Sequence, residues 1–155
     1  MGRRRSQPRA ALRGLGLALA TLPCALPARA ESLAASVRNE RGQPVGDAVV
    51  TAVPLAGDGL RLGPPDPVEI DQIDKEYVPY LTAIRVGTSV GFPNHDQIRH
   101  HVYSFSEAKT FEIPLYRGTP AEPVVFDKPG EVVLGCNIHD WMRAYVFVSE
   151  TPYFA

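Results

Sequence analysis

The stretch VVLGCNIHDWMRAYVFV, residues 132–148, places a cysteine, a histidine and a methionine at even spacing: Cys136, His139 and Met142. Cys136 ends one apolar run and a second run follows Met142, so the pattern predicts two β-strands joined by a short loop. Such a loop directs the three side chains toward one point at the end of a sheet. Because thiolate, imidazole and thioether groups are soft or borderline ligands, which select copper over magnesium or calcium, the loop predicts a metal site.

The rest of the chain alternates in the same way. RHHVYSFS and KTFEIPLY, residues 99–106 and 109–116, alternate polar and apolar side chains, and the turn DKPG at 127–130 separates two further apolar runs. About eight or nine short strands at a spacing of roughly 8–12 residues, without strand–helix–strand alternation, are typical of a sandwich or barrel. The sequence therefore predicts an all-β fold, an antiparallel Greek-key β-sandwich.

The first thirty residues have the features of a secretory signal peptide. Five arginines precede an apolar run from Leu15 to Leu26, and Ala28-Arg29-Ala30 matches the small-x-small pattern of a cleavage site. Removal of residues 1–30 is expected to leave a single mature domain, residues 31–155, in the periplasm. That domain retains one cysteine, Cys136, which cannot form an internal disulfide and needs burial or a bound metal to escape oxidation.

Charge narrows the choice of partner. The leader contains six of the sixteen basic residues and none of the seventeen acidic ones, so ten basic residues remain and the mature chain has a formal net charge of −7. An acidic exported protein is poorly suited to nucleic acid or an anionic membrane surface and favours a cationic protein partner. The leader's apolar run is too short to span a bilayer, so no membrane span is expected. A monomer is expected as well. A solvated acidic face that could also recognise a partner comprises Asp66, Asp71, Asp74 and Glu76.

A second histidine has to come from outside the loop. A blue-copper electron-transfer site uses two histidines and one cysteine with a weak axial methionine, and the loop supplies one histidine. The other three histidines of the chain lie in FPNHDQIRHHVYSF, residues 92–105: His95, His100 and His101. His100 and His101 begin a predicted strand, so their side chains point to opposite faces and only one of them faces the loop. His95 lies in a turn-like segment and is expected to be exposed.

The spacing of Cys136, His139 and Met142 resembles the ligand loop of the cupredoxins, and of the short-loop amicyanins in particular. Plastocyanins have the same Cys-x-x-His but a longer gap to the methionine. The segment His100-His101-Val102 resembles the His-Asn-Val strand in which these proteins place their first histidine. The chain is also similar to exported plastocyanin-like proteins of methylamine utilisation in its strand HVYSFS, its turn FDKPG and its terminal TPYFA. The resemblance extends over residues 68–155.

This resemblance implies a cupredoxin-like sandwich that holds one type 1 copper ion and passes single electrons between periplasmic proteins. It implies that His100, Cys136 and His139 are equatorial ligands and that Met142 is the axial ligand. The implied partners are redox proteins such as a c-type cytochrome or a dehydrogenase. His101 stands where cupredoxins have an asparagine that ties the ligand loops together, so the choice between His100 and His101 stays open.

The N-terminal segment departs from the cupredoxin pattern. VRNERGQPVGDAVVTAV, residues 37–53, has a Gly/Pro turn between two apolar runs, which predicts a hairpin within residues 31–60. This strand–turn–strand resembles transthyretin-like and carboxypeptidase-regulatory modules. We expect it either to supply the first two strands of the sandwich or to pack against it.

Two other functions remain open at this point. The same ligands suit a copper carrier or store without a redox role, which would differ in affinity and exchange rate. A β-sandwich binding module without metal would instead lose nothing but stability when Cys136 is replaced by serine. Zinc is less suited, because it rarely uses a thioether. A dinuclear or multicopper site needs a second cysteine or further histidine pairs that the mature chain lacks, so we do not expect an enzyme.

Overall fold

A computed structural model describes residues 32–55, 62–120 and 122–155. The regular secondary structure in these ranges is short β-strands joined by turns and loops. The strands are β1 Val68–Glu69, β2 Asp71–Ile73, β3 Glu76–Val78, β4 Leu81–Arg85, β5 Thr88–Gly91, β6 His100–Ser106, β7 Lys109–Tyr116, β8 Val124–Phe126, β9 Gly130–Gly135 and β10 Arg143–Ser149. None of the described residues forms a helix that is long and apolar enough to span a bilayer. The signal peptide predicted at residues 1–30 lies outside the described residues.

The larger sheet has five strands in the order β4-β10-β9-β6-β7. The pairs β6–β7, β6–β9 and β9–β10 are antiparallel, and Gly135 at the end of β9 lies opposite Tyr103 of β6 and Arg143 of β10. At the far edge, β4 runs parallel to β10, with Leu81 opposite Tyr145. This register places the end of β9 and the starts of β6 and β10 at the same end of the sheet.

A second sheet has the order β1-β5-β8, and β2 and β3 form a separate hairpin. β1 runs parallel to β5 and β5 runs antiparallel to β8. The all-β sandwich predicted from the sequence is confirmed, and two of its strand pairs, β1–β5 and β4–β10, are parallel. Both parallel pairs join strands that are distant in the chain, a relation that local alternation of apolar residues does not encode.

The core follows from the alternation of side chains along the central strands. Val132 and Leu134 of β9 are fully buried, whereas Val133 between them is 39% exposed on the opposite face. Because successive side chains of a strand point to opposite faces, one face of β9 contributes to the core. The core residues that it joins are Ile70, Tyr77, Ile84, Val90, Phe92, Val102, Ala108, Phe126, Cys136, Met142, Ala144, Val146 and Val148.

The N-terminal segment that predicts a hairpin forms two pairings, one within itself and one with the end of the chain. Its turn is closed by a bridge between Arg38 and Pro44. Its second arm pairs with the end of the chain: the Val50 amide donates to the carbonyl oxygen of Ala155 over 2.8 Å, and the bridge continues at Thr51. Residues 35–155 form one compact unit. Whether this arm is a strand of the sandwich or an appendage stays a prediction.

Replacement of a core side chain on β9 tests which face is buried. Leu134→Ala is expected to lower the free energy of unfolding by about 2–5 kcal/mol, because it leaves a cavity at a fully buried position. Val133→Ala is the matched control on the opposite face and should cost only about 0.5 kcal/mol. Urea unfolding of the metal-free protein measures both. Equal losses in the two variants would contradict the assignment of the faces.

Candidate metal centre

Three strand ends bring the predicted ligands together. His100 is the first residue of β6, Cys136 follows the last residue of β9, and His139 lies in the loop before β10. One ligand atom from each of these side chains lies within 4.8 Å of the other two. The distance from Cys136 Sγ to His139 Nδ1 is 3.8 Å. Within the described part of the chain, no other group of three or more histidine, cysteine or acidic side chains converges in this way.

The fourth predicted ligand, Met142, lies in the same loop as Cys136 and His139. Its side chain is buried, and its backbone amide donates a hydrogen bond of 3.0 Å to the carbonyl oxygen of His139. Cys136 and Met142 both line an open groove of about 680 Å³. The loop is therefore folded back on itself, with the sulfur-bearing residues at its two ends.

Burial divides the site into an inner and an outer side. His100 and Cys136 are buried, whereas His139 is half-buried. The ring centroids of His100 and His139 are 4.9 Å apart, and that of Trp141 lies 5.1 Å from His139 on the outer side. Trp141 is 67% exposed, so it borders the site without closing it. The site thus has a buried inner half and one imidazole that reaches the surface.

The two adjacent histidines have different surroundings. His101 lies on the opposite face from His100, and its Nε2 pairs with Glu112 Oε1 at 2.9 Å. In the described residues, Nδ1 of His100 and Nδ1 of His101 are both buried without a hydrogen-bond partner. An orphaned nitrogen therefore does not distinguish the two, but only His100 lies in the group with Cys136 and His139. His95 is mostly exposed and pairs with Asp71 at 2.7 Å, away from that group.

The donor set fits a soft or borderline metal ion. Nε2 of His100 is engaged by Asp96, so Nδ1 is the nitrogen available to a ligand, and burying it unpaired costs free energy. A metal bound among His100, Cys136 and His139 would satisfy this atom. Two imidazoles and a thiol, with a thioether in the same loop, suit copper better than the hard cations.

Tyr77 of β3 ties the two ligand-bearing strands together. Its hydroxyl lies 2.8 Å from the carbonyl oxygen of His101 and 3.0 Å from that of Gly135. Burial, reinforced by the negative charge of the nearby Cys136 thiolate, raises the pKa of Tyr77 far above its usual value, so the hydroxyl remains a donor. Sequence reasoning missed this residue, since Tyr77 is separated from Gly135 by 58 positions.

Asp96 is the second residue that sequence reasoning missed. Its Oδ2 lies 2.6 Å from Nε2 of His100. Burial alone would raise the pKa of Asp96, but hydrogen bonds from the Lys75 amide, His100 and the Asp74 amide outweigh it and lower this pKa. Asp96 is therefore an ionised acceptor behind the buried imidazole. An acid four positions before a histidine is no signal in a loop, because a loop has no fixed periodicity.

Solved structures of copper proteins are similar to this chain. The copper-containing nitrite reductase of Thermus scotoductus SA-01 is 28% identical with a TM-score of 0.52, over 64% of this chain and 26% of its own. The chain thus spans about a quarter of that protein's length. A purple cupredoxin from Nitrosopumilus maritimus is 26% identical with a TM-score of 0.47, over 53% of this chain and 99% of its own. An oxidised amicyanin variant is 20% identical with a TM-score of 0.48, over 53% and 81% respectively.

No protein-family model matches the sequence, and no curated protein sequence matches it either. The strand topology and the similarity to the nitrite reductase structure nevertheless show an all-β sandwich fold. The candidate centre lies where the central strands of the five-stranded sheet end.

Removal of one hydroxyl tests the tie between the ligand strands. Tyr77→Phe is expected to destabilise the metal-free protein by roughly 1–3 kcal/mol, because two carbonyl groups lose the one buried donor that they share. Tyr103→Phe is the matched control, since no hydrogen bond of its hydroxyl is found among the described residues, and it should change stability by only about 0.5 kcal/mol. Urea unfolding compares the two variants. Similar values would contradict the role assigned to the Tyr77 hydroxyl.

The proton affinity of His139 gives a pH test. Partial removal of its ring from water, together with the charges of His100 and Lys75, lowers the pKa of His139 below its usual value of 6.5. In the metal-free protein, NMR titration should give a His139 midpoint below that of a histidine in the denatured chain. The unfolded state then takes up this proton first, so stability declines as the pH falls below about 6.5. A His139 midpoint at or above the denatured value would contradict the expectation.

Proposed function

We propose that this protein is a periplasmic one-electron carrier with a mononuclear type 1 copper centre. The observation that carries the proposal is the convergence of His100, Cys136 and His139. One ligand atom from each lies within 4.8 Å of the other two, at one end of the sheet. With Met142 buried in the same loop, the donors are those of a blue-copper site: two imidazoles, one thiolate and an axial thioether.

The described residues suit a site whose geometry changes little when it gains or loses an electron. Copper bound there would supply a couple that gains or loses one electron. His100 and Cys136 are attached to paired strands, and Tyr77 bonds both strands, so their positions depend little on a bound ion. The buried inner half excludes water from the thiolate, and such a dry surrounding tunes a redox potential.

We propose that electrons pass through the half-exposed edge of His139. Trp141 and Ile138 expose apolar surface beside it, which suits a brief contact with another protein. For residues 31–155 the formal net charge of −7 favours cationic redox partners, such as a c-type cytochrome or a dehydrogenase of methylamine utilisation. Export and a monomeric state belong to the same proposal.

The two histidines outside the candidate centre favour a carrier over an enzyme, because each is paired with a carboxylate. The chain has four histidines; His95 is held by Asp71 and His101 by Glu112. A catalytic second copper would need such imidazoles free and close together. The similarity to a nitrite reductase extends over only 26% of that enzyme's chain. We therefore propose a non-enzymatic role.

Copper binding in vitro tests the proposal. One equivalent of Cu(II) should give the metal-free protein an intense thiolate-to-copper absorption and a narrow copper hyperfine splitting. Cys136→Ser and His100→Ala should each abolish these signals because they remove a predicted ligand. A matched control should retain them: His101→Asn, which changes the neighbouring imidazole on the opposite face and leaves all the predicted ligands in place.

The outcomes separate the three functions. Colour that survives repeated reduction and oxidation with the ion retained supports the electron carrier. Colour that is lost because reduced copper passes readily to a chelator indicates a copper carrier or store. A colourless protein, or a weak copper signal that Cys136→Ser leaves unchanged, would contradict the copper centre and favour a binding module without metal.

A further inference from the structure

The carboxylate of Asp96 accepts hydrogen bonds from three donors. The backbone amide of Asp74 lies 2.7 Å from Oδ1, the amide of Lys75 lies 2.9 Å from Oδ2, and Nε2 of His100 lies 2.6 Å from Oδ2. The Asp96 amide in turn donates to Asn94 Oδ1 over 3.0 Å, which closes a local turn. Both oxygens are thereby fixed in place, and the side chain cannot leave His100 without breaking backbone contacts.

The two amides belong to the tip of the β2–β3 hairpin. Asp74 and Lys75 have φ values of 53° and 63°, in the left-handed region that a two-residue turn between antiparallel strands requires. Neither residue is glycine, so this conformation is unfavourable by itself. It directs two consecutive amides at one carboxylate, a concave arrangement that favours an anion. The hairpin tip therefore provides a seat for the charge of Asp96.

This seat determines the tautomer of the buried imidazole. A carboxylate accepts hydrogen bonds only, so the proton between Asp96 and His100 resides on Nε2. A neutral imidazole carries one proton, which leaves a lone pair on Nδ1 of His100. That Nδ1 is buried and has no partner among the described residues. The lone pair is therefore available to the group formed with Cys136 and His139.

We propose that Asp96, held by the β2–β3 tip, is a positioning residue that makes His100 a stronger donor to the copper. The inference rests on the proposed function and deepens it. A ligating histidine bonded to a carboxylate through its other nitrogen is fixed in orientation and more basic. A stronger donor stabilises Cu(II) more than Cu(I), because Cu(II) carries the higher charge. Asp96 therefore lowers the reduction potential of the centre.

Asp96→Asn tests this inference through the potential. The variant should bind Cu(II) about 10–100-fold more weakly, with a smaller effect on Cu(I). Each tenfold loss specific to Cu(II) raises the potential by about 59 mV for a one-electron couple. The copper hyperfine splitting should change as well. Asp71→Asn is the matched control, because it removes a carboxylate from the exposed His95 outside the site and should leave the potential unchanged.

The outcomes distinguish this inference from the proposed function. A wild-type protein with the blue-copper spectrum and an Asp96→Asn variant with a raised potential support both. If the variant has the wild-type potential and hyperfine splitting, the inference is overturned and the electron carrier stands. If the wild type forms no thiolate–copper complex, the carrier is overturned and this inference with it.

A measurement on the unaltered metal-free protein does not depend on whether the variant folds. Long-range proton–nitrogen NMR correlations of the imidazole rings report which nitrogen carries the proton. We expect His100 to be protonated at Nε2. Protonation at Nδ1 would overturn the role of Asp96, because Nε2 would then hold the lone pair and would have no proton to donate to the carboxylate.

Discussion

The candidate centre depends on one residue of the five-stranded sheet, Gly135. Gly135 is paired with Tyr103 on one side and with Arg143 on the other, and these two pairings bring three strand ends to the same end of the sheet. A slip of one position would turn every side chain of a strand to the other face, so His100 would no longer meet Cys136. A Cβ at Gly135 would lie 2.8 Å from the Tyr103 ring, so this close approach of ring and backbone requires glycine.

Local patterns predicted a large part of this arrangement. The alternation along β9 and the spacing of Cys136, His139 and Met142 involve residues that are close in the chain, and such relations are encoded locally. They were sufficient for the all-β sandwich and for a loop that gathers ligand residues. The resemblance to the ligand loop of cupredoxins added the expectation of a single copper ion and of an upstream histidine ligand.

Relations between distant segments were not predictable in the same way. Alternation placed His100 and His101 on opposite faces but did not tell which face meets the loop, because that depends on how β6 pairs with β9, a strand about thirty residues away. Tyr77 and Asp96 acquire their roles through contacts that the fold creates. The hydroxyl of Tyr77, for example, reaches a carbonyl 24 positions away. No local period reports such a contact.

Three of the four histidines have one ring nitrogen on a carboxylate, in the pairs His95–Asp71, His100–Asp96 and His101–Glu112. His139 has no such pair among the described residues, and it faces solvent. The two imidazoles of the centre are therefore unequal before any ion arrives: one is already oriented, and the other still has to give up its contact with water. An ion bound there would therefore displace water mainly from His139, whereas Asp96 already holds the ring of His100.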